Sequence, residues 1–128
     1  MKEFLIVGLG GFAGSVLRFR VSAAFLHNFP ASRFPWATFT VNIAGCLLIG
    51  ITVAFLERIE FYNSELRLLL ITGFLGGFTT FSAFGLETVF LLRSGNTHLA
   101  IANVLLSIAF CLLAAWLGLR LGATLAAY

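Results

Sequence analysis

Residues 36–56, WATFTVNIAGCLLIGITVAFL, run for 21 positions without a charged side chain. As a helix rising 1.5 Å per residue, that run is about 32 Å long, enough to cross a hydrocarbon core of about 30 Å. Comparable apolar runs lie at about residues 4–26, 66–92 and 99–119. A chain built this way cannot cover itself with polar surface. Only 10% of its residues are charged and 60% are hydrophobic, with a mean hydropathy of +1.04, whereas a soluble domain carries about 25% charged residues. The expected fold class is an all-α membrane protein with four transmembrane helices, one integral domain over residues 1–128 in a lipid bilayer.

The first span takes in two arginines. If it stopped before Arg18 it would hold fourteen residues, about 21 Å, too short to cross. Arg18 and Arg20 therefore fall in its last third, where long cationic side chains can snorkel toward the headgroups. The opening MKEFLIVGLGGFAG has a signal-peptide look, but the later segments are equally apolar, so it reads as the first span. A loop containing Pro30 and Pro35 follows, then span two, the polar connection ERIEFYNSE, span three, the turn RSGNTH at 93–98, and span four, with Arg120 marking its expected end. The net charge of +3 comes from singly scattered basic residues, which excludes a nucleic-acid surface. Cys46 and Cys111 have no cysteine or histidine at metal-ligand spacing and read as small hydrophobes.

With four spans, one side of the membrane receives Lys2, Arg58, Arg67 and Arg120, and the other receives Arg18, Arg20, Arg33 and Arg93. Orientation by the positive-inside rule needs a bias, and 4 against 4 supplies none. Dual topology, with copies inserted both ways and joined as an antiparallel homodimer, is the expectation. Four helices enclose little space, so a transporter of this size needs a second copy to complete a wall.

Several motifs bear on function. GxxxG spacings at Gly10/Gly14, Gly73/Gly77 and Gly118/Gly122 allow helices to approach closely. Gly8, Gly10 and Ala13 match a dinucleotide fingerprint by accident, because no acidic residue occurs between Glu3 and Glu57. Thr38, Asn42 and Cys46 on span two, and Asn103, Ser107 and Cys111 on span four, each repeat at i, i+4, i+8, one polar face per helix. An amide in hydrocarbon needs a partner or a task. Two such tracks, beside the hydroxyl-rich third span, suggest a polar pathway.

Span three carries GFLGGFTTFSAFGLET at 73–88. Gly76-Gly77 followed by Thr79-Thr80 is a poor helix interior, and a helix break is expected there in mid-membrane. Such backbone survives only when buried in protein or lining a cavity, and freed carbonyls can hold a small cation. Phe78, Phe81 and Phe84 recur through the break. An aromatic ring has a positive edge, and such edges, with Asn42, Ser82 and Ser107 as donors, suit a narrow path for a small anion. The absence of Lys or Arg at that depth suits an ion that must also leave.

With GGFAGSVLRF, TFTVNIAGCLLIG and TGFLGGFTTFSAFGLET in place, the chain resembles the Fluc (CrcB) family of fluoride channels over nearly its whole length. The resemblance implies an antiparallel homodimer with two fluoride pores in a bacterial inner membrane, conferring fluoride resistance. It implies that Asn42 lines the pore, that Phe81 and Phe84 turn ring edges to fluoride, and that the carbonyls of Gly76 and Thr79 hold a structural sodium ion at the dimer interface. Thr80 and Ser82 belong to the same TTFS motif. Arg18 matches an arginine that draws anions to a vestibule, and Glu87 matches an acidic position after the break. Asn103 and Ser107 are placed along the ion path. Ala83 and Gly85 depart from the TFSTFS common in the family and remove two hydroxyls.

Passive channels need no nucleophile–base constellation, and none is visible, so no enzyme is expected. His27 and His98 stand alone in loops. The competing reading is a proton-coupled small multidrug antiporter, also four-span and dual-topology, which needs a membrane-embedded carboxylate. Glu87 is the sole candidate. A non-transporting membrane subunit would leave the break and the matched tracks without a purpose.

Overall fold

The computed structural model describes residues 1–58 and 64–125, so residues 59–63 of the polar connection lie outside the described residues. Helix α1 spans Lys2–Asn28 and α2 spans Trp36–Arg58. The third span, Ser64–Arg93, is composite. It holds α3 (Ser64–Arg67), a π-helical stretch (Leu68–Leu75), α4 (Gly76–Phe78) and, after two extended residues, α5 (Phe81–Arg93). Helix α6 spans Thr97–Leu125. Among the described residues, four helices are long and apolar enough to cross a membrane, as the hydropathy pattern predicts.

The ends follow from local chemistry. Pro30 follows the α1 C-cap, Phe29, whose N–H still reaches Phe25 O at 2.8 Å and bars further helix. The Pro35 carbonyl accepts from Phe39 N at 3.0 Å and so opens α2. Helix α5 closes on Gly95 at φ +76, a left-handed position that favours glycine. Asn96 N donates to Leu91 O at 2.9 Å and Gly95 N to Leu92 O at 3.1 Å, the paired bonds of a Schellman motif. Span four runs past its expected limit. Arg120 does not end α6, because its guanidinium folds back over the Trp116 ring one turn earlier, 5.3 Å from the centroid, and the helix continues to Leu125.

Two glycine-lined seams organise the packing. On α1, Gly10 faces Leu69 and Gly73, and Gly14 faces Phe74 and Phe78. On α2, Gly50 faces Ala115 and Leu119, while Gly118 and Gly122 of α6 face Leu47, Ile51 and Ala54. In both seams the residue numbers rise together, so α1 runs parallel to the first half of span three and α2 runs parallel to α6. All three GxxxG spacings are used as expected. The close approach leaves no room for a Cβ: one built on Gly73 would sit 2.9 Å from Val7 O, and one on Gly77 2.5 Å from Gly11 O. Sequence neighbours α1 and α2 touch far less than these pairs do.

Span three changes partners at its break. Its π-helical stretch and α4 pack on α1, whereas α5 packs mainly on α6. Among the described residues few large apolar side chains are buried; Val41, Leu75, Phe78 and Leu91 are among them. Phe4, Phe12, Phe19, Leu105 and Leu112 point outward, as lipid-facing residues do in a protein whose solvent on that face is hydrocarbon.

Candidate functional site

The break falls at Thr79–Thr80, the sixteenth and seventeenth positions of the 30-residue third span. Thr79 has φ −84 and ψ 159, and Thr80 has φ −153 and ψ 116. Both are extended, a conformation β-branched side chains favour. The expectation that Gly76-Gly77 breaks the helix is corrected here. Gly76 keeps helical angles of −64 and −37, and Gly77 serves the seam with α1, where only a hydrogen fits against Gly11.

Breaking a helix leaves main-chain groups to satisfy, and Asn42 takes two of them. Its Nδ2 donates to Thr80 O at 3.0 Å, and Thr80 N donates to its Oδ1 at 2.9 Å. The asparagine amide thus does for Thr80 what a neighbouring peptide would do in a sheet. Thr79 N and Thr79 Oγ1 both donate to Leu75 O, at 3.0 and 2.9 Å, closing the helix before the break. Thr80 Oγ1 accepts from Ala83 N at 3.2 Å and lies 3.2 Å from Ser82 Oγ, an N-cap for α5. The positive end of the α5 dipole therefore starts in mid-span without any charged side chain.

Two hollows meet at Thr80, which lines both. One is a groove of about 360 Å³, where Asn42, Cys46, Gly76, Thr79, Phe81, Phe84, Ser107 and Cys111 come together. Phe81 stands 83% exposed on its flank, its ring 5.4 Å from that of Phe84 and tilted by 39°. The other is a vestibule of about 330 Å³ with Ser15, Arg18, Ser22, Thr38 and Glu87 in its wall. Thr38 Oγ1 donates to Glu87 Oε1 at 2.7 Å, while the buried Oε2 finds no partner among the described residues. The clamp of Asn42 on Thr80 stands between the hollows.

The expected site residues do not all share one place. Arg18 and Glu87 line the vestibule, and Ser82 sits exposed at the start of α5. Asn103, only 1% exposed, is sealed between α6 and α5. Its Nδ2 donates to Thr88 Oγ1 at 2.9 Å, Thr88 Oγ1 donates to Phe84 O at 2.7 Å, and Ser107 Oγ reaches Asn103 Oδ1 at the long limit of 3.5 Å. This chain ties α6 to the helix that carries both phenylalanines. Thr88 is the member sequence reading missed. Its signal was a hydroxyl one turn after Phe84 in an apolar helix. Ser15, whose Oγ donates to Gly77 O at 3.4 Å, was missed as well.

This arrangement has close relatives. The family described as "CrcB-like protein, Camphor Resistance (CrcB)" matches residues 5–119. A "Fluoride-specific ion channel FluC" of Methylobacillus flagellatus is 47% identical over 121 residues, which is 94% of each chain. Proteins of the same name are 43% identical in Flavobacterium psychrophilum, over 93% of this chain and 95% of the relative, and 44% identical in Ruminiclostridium cellulolyticum, over 98% of both. These relatives favour the channel over the antiporter, and over an enzyme. At this coverage and identity, with the family match running from the first glycine seam through the broken span and into the second seam, the chain belongs to the CrcB family.

Proposed function

We propose that this chain is a fluoride-selective channel that lets fluoride leave the cytoplasm passively and so confers fluoride resistance. The carrying observation is the groove at the break. Asn42, Thr79, Thr80, Phe81, Phe84 and Ser107 meet there beside the α5 N-terminus, with no lysine or arginine in the lining to trap an anion. The relatives' names supply the ion. Fluoride sheds water reluctantly, so its path must return oriented donors. The second amide hydrogen of Asn42, the hydroxyls of Thr80, Ser82 and Ser107, and the edges of Phe81 and Phe84 are candidates. Asn103 would act along the same path through Ser107. Arg18 would raise the anion concentration in the vestibule, and Glu87, held by Thr38, would bound the vestibule on its acidic side.

The groove lies open along one side, with Phe81 projecting from it. An antiparallel second copy would close it, in keeping with the balanced arginines and lysine. Gly76 and Thr79 border the groove. Two main-chain carbonyls per chain are too few for a sodium ion, but an antiparallel pair of chains would offer four oxygens to one shared ion. That sodium would supply a fixed positive charge tying the two breaks together. The setting is a bacterial plasma membrane, crossed several times.

Fluoride and then chloride electrodes can follow efflux from liposomes holding the purified protein. Rapid, valinomycin-dependent fluoride efflux without chloride efflux is the expected result. Well-folded protein that releases no fluoride would overturn the proposal and turn attention to a proton-gradient assay on Glu87.

A further inference from the structure

Cys46 and Cys111 line the groove with metal-ligating side chains to which the channel reading gives no task. Their positions follow from the α2–α6 seam. Gly50 faces Ala115, and Cys46 and Cys111 each lie four residues before these partners on helices running in the same direction. The two thiols therefore come to one level and one side. Both line the groove, and neither is in a disulfide.

We propose that this pair is an inhibitory site for a soft divalent cation of linear two-coordinate habit, for which the mercuric ion is the probe. Thiolate sulfur selects soft cations, and two thiols on adjacent helices supply two ligands. Binding forms two metal–sulfur bonds and releases two protons to solvent. The product is neutral, two negative thiolates against a charge of two plus. Neutrality matters in an apolar, membrane-embedded groove, where net charge is costly. A monovalent soft cation would leave one net negative charge there. Zinc prefers four ligands, and no group of three or more His, Cys, Asp or Glu side chains gathers among the described residues.

The bound ion would lie about one helical turn, roughly 6 Å, from both Asn42 and Ser107. It would stand in the groove beside the break. The blocking effect rests on the channel reading, but the site itself does not. Purified protein in detergent would be titrated with mercuric chloride, following mercury–thiolate charge-transfer absorption and the free-thiol count. One mercuric ion per chain should consume both thiols. In liposomes, fluoride efflux should stop at that stoichiometry and return with excess dithiol. Cys46→Ser and Cys111→Ser, each normalised to its own mercury-free efflux, should need at least tenfold more mercury; Cys46→Ala and Cys111→Ala serve if a serine variant misfolds. Two mercuric ions per chain, or single variants as sensitive as the parent, would sink the proposal. So would full occupancy with undiminished efflux. If the parent released no fluoride without mercury, the channel reading would fail while the detergent titration still decided the site.

Discussion

Replacing Asn42 with alanine should cost more than one contact, because the side chain satisfies both main-chain groups of Thr80. Two limits bracket the cost. Hydrogen bonds between membrane helices average about 0.6 kcal/mol each, which gives about 1 kcal/mol for two. A buried polar group left unpaired costs about 1–3 kcal/mol, which gives about 2–6 kcal/mol. The upper regime applies to Thr80 because it is extended and has left the helical ladder, so no intrahelical partner stands ready. The vestibule beside it is roomy and polar enough for water, which favours the lower half, about 2–4 kcal/mol. At 1.4 kcal/mol per tenfold, that is roughly a thirty- to seven-hundredfold rise in local opening. Hydrogen exchange by mass spectrometry on peptides covering residues 76–84 reads it directly, and fluoride efflux should fall at least tenfold alongside. Asn42→Asp keeps an acceptor for Thr80 N but faces Thr80 O with a second acceptor, so its protection should fall in between. Unchanged protection over 76–84 in Asn42→Ala, with parental efflux, would show that the break holds itself open and that the clamp is incidental.

Three further outcomes follow from the same geometry. Gly77→Ala drives a methyl against Gly11 O and should lower stability in detergent melts by about 1–3 kcal/mol, whereas Gly85→Ala meets nothing within 4 Å and should be neutral or gain about 0.5–1 kcal/mol. Thr88→Val leaves the sealed Asn103 amide without its acceptor and should cost about 1–3 kcal/mol, with faster amide exchange in α5 than in α2. Phe81→Ala removes a side chain that is 83% exposed, so the melting of the isolated chain should hardly move while fluoride efflux is lost.

The four spans were legible because hydropathy over some twenty residues is a strong signal that no tertiary contact has to supply. The glycine seams were legible as spacings, since only small residues permit such approach. Which residues break the helix was not legible. Gly76-Gly77 and Thr79-Thr80 both weaken a helix, and only contact with Gly11 tells that Gly77 is pinned in helical form. The sequence marks Asn42 as costly in lipid but not that its partner is the backbone of Thr80, 38 residues away. Likewise Thr88 and the Cys46–Cys111 pair depend on how α5 and α2 register against α6, which no single-helix periodicity contains. Arg120 misled for a simpler reason, because a charge can fold back on Trp116 while its helix goes on.

The interleaved seams also set a timetable for assembly. Span one finds its partner only when span three has been made, and span two only when span four has. Each early helix must wait in the bilayer for its seam, although span two is tied to span three by Asn42 and Thr38 before span four is made. The last helix to emerge completes the second seam and also grips α5 through Asn103 and Thr88. A nascent chain halted in the RSGNTH turn would therefore hold one finished seam and one bare one. Its Leu47, Gly50, Ile51 and Ala54 edge would be open to membrane quality control until α6 arrives.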